Sequence, residues 1–265
     1  MNDGAATPLS AKQRLAAGEP LYGCFLNAES PILAELLARA GYDCLMIDRE
    51  HSAADLQTAR AMTQAIRTTA CSPLVRVPLN DAAEIKRTLD IGIDGVMAPA
   101  VNSRAEAAAF VAACRYPPEG IRGVAVPIIR ASGYGLETKR YIAEANDALL
   151  TIAQIETRAA VEAVSEIVAV PGIDMVFVGP YDLSASLGHL GEPDHPEARA
   201  LIGQVEAAAK RAGKWLGTIA TTARPADRLF ADGYQLVLGS ADVGLLREAA
   251  LAQIERFRPK RPGRG

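Results

Sequence analysis

The chain has 265 residues, 49% of them hydrophobic and 22% charged, with a formal net charge of −3. That balance excludes a disordered chain and leaves length for one large domain or two small ones. It also excludes the basic footprint of a nucleic-acid binder, and no apolar stretch is long enough to span a bilayer.

Met1–Pro20 is polar and alanine-rich without an apolar centre, which reads as a short flexible start with no secretory leader. The first apolar run, Tyr22–Leu26, predicts a strand. Ser30 is a candidate N-cap for a helix over Pro31–Ala40, and Gly41-Tyr42-Asp43 hands that helix over to a strand at Cys44–Asp48. A third strand follows at Leu74–Val77. Asp81 then caps a helix over Ala82–Asp90, and Gly92-Ile93-Asp94 leads into a strand at Gly95–Ala98. The long segment Tyr116–Asn146 breaks the rhythm, with Pro117-Pro118 and glycines at 120, 123, 133 and 135. A segment of that length is expected to carry a helix into the next strand and to cover part of a rim. Strands resume at Leu150–Ile155, Met175–Val178, Leu216–Ile219 and Leu236–Leu238. The tail Arg256-Phe257-Arg258-Pro259-Lys260-Arg261 is basic and proline-broken, and reads as a frayed, solvated end.

One phrase recurs ahead of four strands: glycine, an apolar residue, a polar residue, then an apolar run. It begins at Gly41, Gly92, Gly172 and Gly233. Glycine takes the left-handed position that ends a helix, and the apolar run is a strand buried on both faces. A repeated helix-to-strand joint implies a repeated α/β unit. Eight such strands predict a (β/α)8 TIM barrel, one domain over residues 1–265. A doubly wound open sheet is the alternative, because periodicity does not show closure.

In a barrel the site lies at the C-terminal ends of the strands. Those ends carry Asp48-Arg49-Glu50-His51, Arg76, Gln154-Ile155-Glu156 and Gly179-Pro180-Tyr181-Asp182. Glu156 and Asp182 are separated by one strand–helix unit. Side by side at one rim, they suit a hard divalent cation that still has room for a substrate. Each also has a structural alternative. Asp182 could cap a helix starting at Leu183, Glu156 could begin one from Thr157, and His51 could be a helix-start residue. Arg76 on an apolar strand needs an anion, either a bound carboxylate or an internal acid partner. His189 and His195 lie in a Gly/Pro-rich stretch and read as solvated.

Several chemistries are excluded by pattern. No GxGxxG or Walker sequence appears, and no Gly-x-Ser-x-Gly elbow. Lys86, Lys139, Lys210 and Lys214 fall in helices or loops rather than at strand ends, which favours metal-assisted over amine-assisted carbonyl chemistry. Cys24, Cys44, Cys71 and Cys114 form no CxxC pair and read as reduced thiols, which places the protein in the cytoplasm.

Four stretches together resemble one family: Ile47-Asp48-Arg49-Glu50-His51, Arg115-Tyr116-Pro117-Pro118-Glu119-Gly120-Ile121-Arg122-Gly123, Gln154-Ile155-Glu156-Thr157 and Phe177-Val178-Gly179-Pro180-Tyr181-Asp182-Leu183-Ser184. They resemble the HpcH/HpaI aldolases, metal-dependent class II pyruvate aldolases, and the likeness runs from about Leu21 to Phe257. The resemblance implies a (β/α)8 barrel, usually a homo-hexamer, with a divalent metal such as Mg²⁺, Mn²⁺ or Co²⁺. It implies Glu156 and Asp182 as metal ligands, and His51 as the base with Asp90 raising its basicity. It implies Arg76 as the stabiliser of the enolate. Gln154, the backbone of Tyr181 and the neighbouring Gly179, Pro180 and Asp182 are the implied substrate contacts. The implied reaction is reversible retro-aldol cleavage of a 4-hydroxy-2-oxo acid to pyruvate and an aldehyde, through a metal-stabilised enolate.

Two other functions compete. A CoA-thioester lyase of the citrate-lyase β type would need a basic cluster for the CoA phosphates, which the sequence lacks. A non-catalytic binding barrel would not need His51, Arg76, Glu156 and Asp182 together. Three residues depart from the family pattern. Phe25 stands where tryptophan is common, Arg49 where a small residue is frequent, and Tyr181 where alanine is frequent. Arg49 either favours an acidic aldehyde or pairs with an acid on the surface, and the surface pair is the preferred reading.

Overall fold

A computed structural model describes residues 8–258. The first part of the expected flexible start, residues 1–7, and the end of the basic tail, residues 259–265, fall outside that range. The strands are β1 (Leu21–Leu26), β2 (Cys44–Asp48), β3 (Ser72–Arg76), β4 (Gly95–Ala98), β5 (Leu150–Ile155), β6 (Met175–Val178), β7 (Trp215–Ile219) and β8 (Leu236–Ala241). The helices are α1 (Ala11–Ala16), α2 (Pro31–Ala40), α3 (Leu56–Ile66), α4 (Ala82–Leu89), α5 (Arg104–Cys114) and α6 (Thr138–Ala148). They continue as α7 (Arg158–Glu162), α8 (Val164–Val168), α9 (Pro180–Ser186), α10 (Pro196–Arg211), α11 (Ala226–Ala231) and α12 (Asp242–Phe257). None of the described helices is long and apolar enough to cross a membrane.

The eight strands pair in sequence order, all parallel, and β8 pairs back onto β1, so the sheet closes. Closure decides for the barrel over the open sheet. The local reasons are those read from the sequence. Ser30 accepts the Leu33 N–H at 3.3 Å and starts α2. Gly41, at φ 107°, stops it in a conformation that a β-carbon disfavours. Gly92, Gly172 and Gly233 also take positive φ, in the turns that lead from a helix into the next strand. Asp81 accepts the N–H groups of Ala83 and Glu84 at the head of α4.

Alternate residues of each strand point in and out. The inward set, including Phe25, Met46, Met97, Ile152, Met175 and Phe177, fills the barrel. The outward set packs against the helices, as Val96, Ile155 and Val178 do against Phe110 and Leu183 in the larger outer core. All four cysteines are free and buried, and serve as small apolar side chains.

Two features differ from expectation. The polar start contains a helix. Ser10 and Gln13 form a capping box at the head of α1, whose Ala11 and Leu15 close the N-terminal mouth of the barrel against its inner core. The segment after α5 does carry a helix, α6, into β5. It lies at that same N-terminal mouth, because α5 has already run back from the C-terminal ends of the strands. There Tyr116, Val126 and Ala145 form a small separate core, and Arg122 stacks over the Tyr116 ring at 4.4 Å.

Candidate active site

β3 ends at Arg76, directly beside the end of β2 at Asp48, and the two side chains meet. Arg76 Nε and Nη2 donate to the two carboxylate oxygens of Asp48 at 2.9 and 2.7 Å, and Nη1 lies 3.1 Å from Glu50 Oε2. The guanidinium also sits 4.8 Å above the Phe25 ring. The anion that Arg76 required is therefore an internal acid. Burial alone would raise the Asp48 carboxyl. Arg76 and the N–H groups of Glu50 and His51 outweigh it and hold the carboxyl below its ordinary value. Asn27 Nδ2 adds a bond to Asp48 at 2.7 Å. Arg76 is thus fixed on three sides before any ligand arrives.

β5 presents Gln154 and Glu156, both buried. Glu156 Oε1 accepts the Ala100 N–H at 2.7 Å, and Oε2 accepts from Gln154 Nε2. Ala100 holds that N–H in place at φ 49°, a left-handed conformation that costs a non-glycine residue roughly 1–2 kcal/mol. Burial, then the charges of Glu50 and Asp182, push the Glu156 carboxyl up to about 7 against the pull of Ala100 and Arg76. Gly179, at the end of β6, leaves the space this arrangement needs. A β-carbon there would lie 3.0 Å from Glu156 Oε2 and 3.1 Å from Gln154 Nε2.

Neither acid is a helix cap. Thr157 caps α7, its Oγ1 accepting the Ala160 N–H at 3.0 Å, so Glu156 points elsewhere. Gly179 occupies the N-cap of α9 and Pro180 its first position, so Asp182 lies inside the first turn, exposed at the rim. His51 does not start a helix either. Asp55 caps α3, and His51 lies in the connection before it, with 59% of its side chain exposed and Nε2 3.8 Å from Glu50 Oε2.

Several of these groups line a cavity of about 360 Å³ at the C-terminal mouth; Glu50 and Glu156 lie behind its wall. His51, Arg76, Gln154 and Asp182 form its polar wall, while Phe25, Phe177 and Ile219 line the apolar side. Pro180 and Tyr181 border the opening, where Tyr181 is half exposed. Phe25 meets Phe177 edge to face at 6.4 Å. Arg49 points away from the cavity. It bonds Glu84 at 2.9 Å and Thr88 Oγ1 at 3.0 Å, so it pairs with an acid as preferred, though the pair is largely buried rather than on the surface.

Asp90 is not brought to His51 within the chain. It is the C-cap of α4, which has run from the C-terminal end of β3 back to the N-terminal end of β4. There it accepts from Arg122 Nη2 at 2.8 Å. Sequence reasoning gave no role to four other residues that shape the rim: Asp48, Glu50, Asn27 and Ala100. Asp48 and Glu50 were visible in the run after β2, but their bond to Arg76 spans some thirty residues and has no local signal. Nothing in the sequence marks Ala100.

The donor set fits a hard cation. The oxygen atoms near Glu156 that could serve a cation are carboxylate and amide oxygens. Four carboxylates, Asp48, Glu50, Glu156 and Asp182, face one guanidinium. Gln154 Oε1 is buried without a hydrogen-bond partner, and Glu50 Oε2 has only the 3.1 Å ion-pair contact to Arg76 Nη1. Under-compensated acids and unserved acceptors are what a hydrated divalent cation satisfies.

A closed parallel barrel with an acidic C-terminal rim, one guanidinium clamp and an imidazole at its mouth is an enzyme's architecture. Residues 21–249 match the family HpcH/HpaI aldolase/citrate lyase, and the chain belongs to it. A hydroxypyruvate/pyruvate aldolase of Chromohalobacter salexigens is 40% identical over 241 residues, covering 91% of this chain and 94% of the relative. A 4-hydroxy-2-oxo-heptane-1,7-dioate aldolase of Escherichia coli is 41% identical over 248 residues, 94% of each chain. The crystal structure of a HpcH/HpaI aldolase/citrate lyase family protein from Burkholderia cenocepacia J2315 superposes with a TM-score of 0.88 at 39% identity, covering 93% of this chain and 98% of that one.

Proposed function

We propose that this chain is a divalent-metal-dependent pyruvate aldolase, a carbon–carbon lyase that reversibly cleaves a 4-hydroxy-2-oxo acid to pyruvate and an aldehyde. The observation that carries the reading is Glu156. It is a buried carboxylate that caps no helix, is raised to about 7 by burial and by its acidic neighbours, and is kept in place by Ala100 and Gln154. Such a group costs the fold stability, which is the mark of a site kept for binding.

Glu156 and Asp182 would hold the cation, a hard ion such as Mg²⁺, Mn²⁺ or Co²⁺. When bound, it supplies a Lewis acid for the 2-oxo group. Arg76, immobilised by Asp48 and Glu50, offers fixed positive charge where enolate charge develops, with no reorganisation required. His51 takes the proton of the 4-hydroxyl as the bond between carbons 3 and 4 breaks and its electron pair moves toward the 2-oxo end. The aldehyde leaves through the mouth beside Tyr181, and protonation of carbon 3 completes pyruvate. Gln154 and the α9 start at Gly179–Asp182 position the 2-oxo acid. Phe25 and Phe177 exclude water from one side.

The same proposal takes the chain as one domain, since β1 and β8 close the barrel from its two ends. It also takes the protein as a cytoplasmic homo-oligomer, a hexamer in its full form. The far-end position of Asp90 supports association, because only a second copy could carry that carboxylate to a His51. The test is pyruvate release from a panel of 4-hydroxy-2-oxo acids by chelator-treated protein, before and after adding back Mg²⁺, Mn²⁺ or Co²⁺. Release that requires the metal is expected. No metal-dependent release from any member of the panel would overturn the assignment.

A further inference from the structure

The chain has three histidines. His51 is at the rim. The other two, His189 and His195, come together on the connection between α9 and α10. Their rings stack with centroids 3.4 Å apart and planes 18° from parallel. His195 is the N-cap of α10, and its Nδ1 accepts the Glu197 N–H at 3.3 Å. Glu197 Oε2 lies 3.1 Å from His189 Nε2, and its Oε1 accepts from Arg158. One donor atom each from His189, His195 and Glu197 lie within 4.8 Å of one another. The charged groups facing this cluster are Arg158 from α7, and Asp194 with Arg199, which lie 3.7 Å apart beside it.

Two imidazoles and one carboxylate are a donor set different in kind from the oxygens of the barrel rim. Nitrogen donors select borderline d-block cations, whereas carboxylates and amide oxygens suit Mg²⁺. A tetrahedral zinc with bonds of about 2.0–2.1 Å needs donors roughly 3.4 Å apart. Side-chain rotation must first turn the two stacked rings out of parallel to aim their in-plane lone pairs at one ion. A neutral imidazole that accepts at Nδ1 carries its proton on Nε2, so the His195 Nδ1 lone pair is the available donor, engaged only by a long cap contact. Arg158 can keep its bond to Glu197 Oε1 while Oε2 turns to the ion, the outer-shell arrangement that orients a ligating carboxylate.

We propose that His189, His195 and Glu197 form a second metal site, for a transition cation of the zinc class, outside the barrel mouth. Bound there, the cation ties the connection leaving α9 to the first turn of α10. Because α9 carries Asp182, the site braces the strap behind the rim without touching substrate. This inference does not depend on the aldolase reading.

The test uses the full chain in excess Mg²⁺, which occupies hard oxygen sites, with Zn²⁺ titrated by calorimetry and by thermal melting. The variants are His189→Gln and His195→Asn; asparagine is itself a good N-cap, so α10 keeps its start. The unmodified chain should bind one more zinc than either variant, or bind it at least about tenfold more tightly. Zinc should raise its melting temperature and leave both variants unmoved. Equal zinc uptake by all three chains overturns the proposal. A measurement on the unmodified chain alone guards against variants that fail to fold. Co²⁺ added in excess Mg²⁺ should give the intense visible absorption of a four-coordinate nitrogen-containing site, bleached by Zn²⁺. Only the weak absorption of six-coordinate oxygen ligation would overturn the site.

Discussion

Glu156 ionises against burial and against the charges of Glu50 and Asp182, which is why its carboxyl stands at about 7 rather than the ordinary 4.5. A folded-state value above the unfolded one means that the cation-free protein is favoured by the protonated acid. That contribution is fully present below the unfolded value and is lost as pH rises through about 7. The displacement is worth up to about 3 kcal/mol at pH 8. Glu156→Gln should therefore melt higher than the parent chain in chelator at pH 8, with little difference at pH 4, while its divalent-cation binding disappears in calorimetry. A variant no more stable than the parent at pH 8 would show that the site is not strained. The opposite sign is expected at Asp48, whose bonds to Arg76 are native and buried. Asp48→Asn removes the bidentate partner of Arg76 and leaves it only the Glu50 contact, so it should cost about 1–3 kcal/mol in denaturant melts. His51 lies on the open side of the cavity with no tight partner, so His51→Ala should keep both fold and cation affinity. It should lower kcat by about 10²–10⁴, the usual contribution of a positioned base. Full activity in that variant would remove His51 from the mechanism.

Among the elements, Gly179 links fold to site most directly. It ends β6, caps α9 and leaves the gap through which Glu156 and Gln154 pack. Gly179→Ala should fold but push those two side chains, weakening cation binding by about tenfold or more, since overpacking costs about 1–3 kcal/mol. Unchanged affinity by calorimetry would show that the neighbours yield freely. The elements themselves were largely legible. β2, β4, β5 and β6 coincide with the apolar runs because strands covered on both faces have no polar positions to blur their ends. The caps Ser30 and Asp81 were legible because one side-chain oxygen at one position decides a helix start. α1 was not, because only one turn and a half of polar, alanine-rich sequence lies behind its Ser10–Gln13 box, and what holds it is the barrel mouth. β3 begins two residues earlier than read from the sequence and ends one residue earlier. Ser72 and Pro73 pair with Cys44 and Leu45 on β2, a partner that lies nearly thirty residues away in the chain. The rim residues at strand ends were readable from the barrel rule. Their hydrogen bonds were not, since Arg76 with Asp48, and Ala100 with Glu156, are contacts that closure creates.

The whole molecule sets the last question, because its topology separates two residues that the family pattern joins. Every strand runs the same way, so each helix that follows a strand returns from the catalytic mouth to the opposite one. Asp90, at the close of α4, must then lie at the mouth plugged by α1, bonded to Arg122 and facing a cleft of about 610 Å³ with Arg60, Arg87 and Tyr134. His51 is at the other mouth. No side-chain rotation bridges the length of a barrel, so either Asp90 serves only its own chain or it reaches the His51 of a second copy. The two cases separate cleanly by mixing chains. His51→Ala and Asp90→Asn, each alone, should be nearly inactive if the pair forms across an interface. Co-refolded in equal amounts, they should regain activity on the order of a quarter of the parent's, because half of a two-fold pairing is mixed and each mixed pair rebuilds one of its two sites. Activity no greater than the mean of the two variants would confine Asp90 to its bond with Arg122. The acid nearest His51 would then be its own neighbour Glu50, and Glu50→Gln should lower kcat/KM more than Asp90→Asn does.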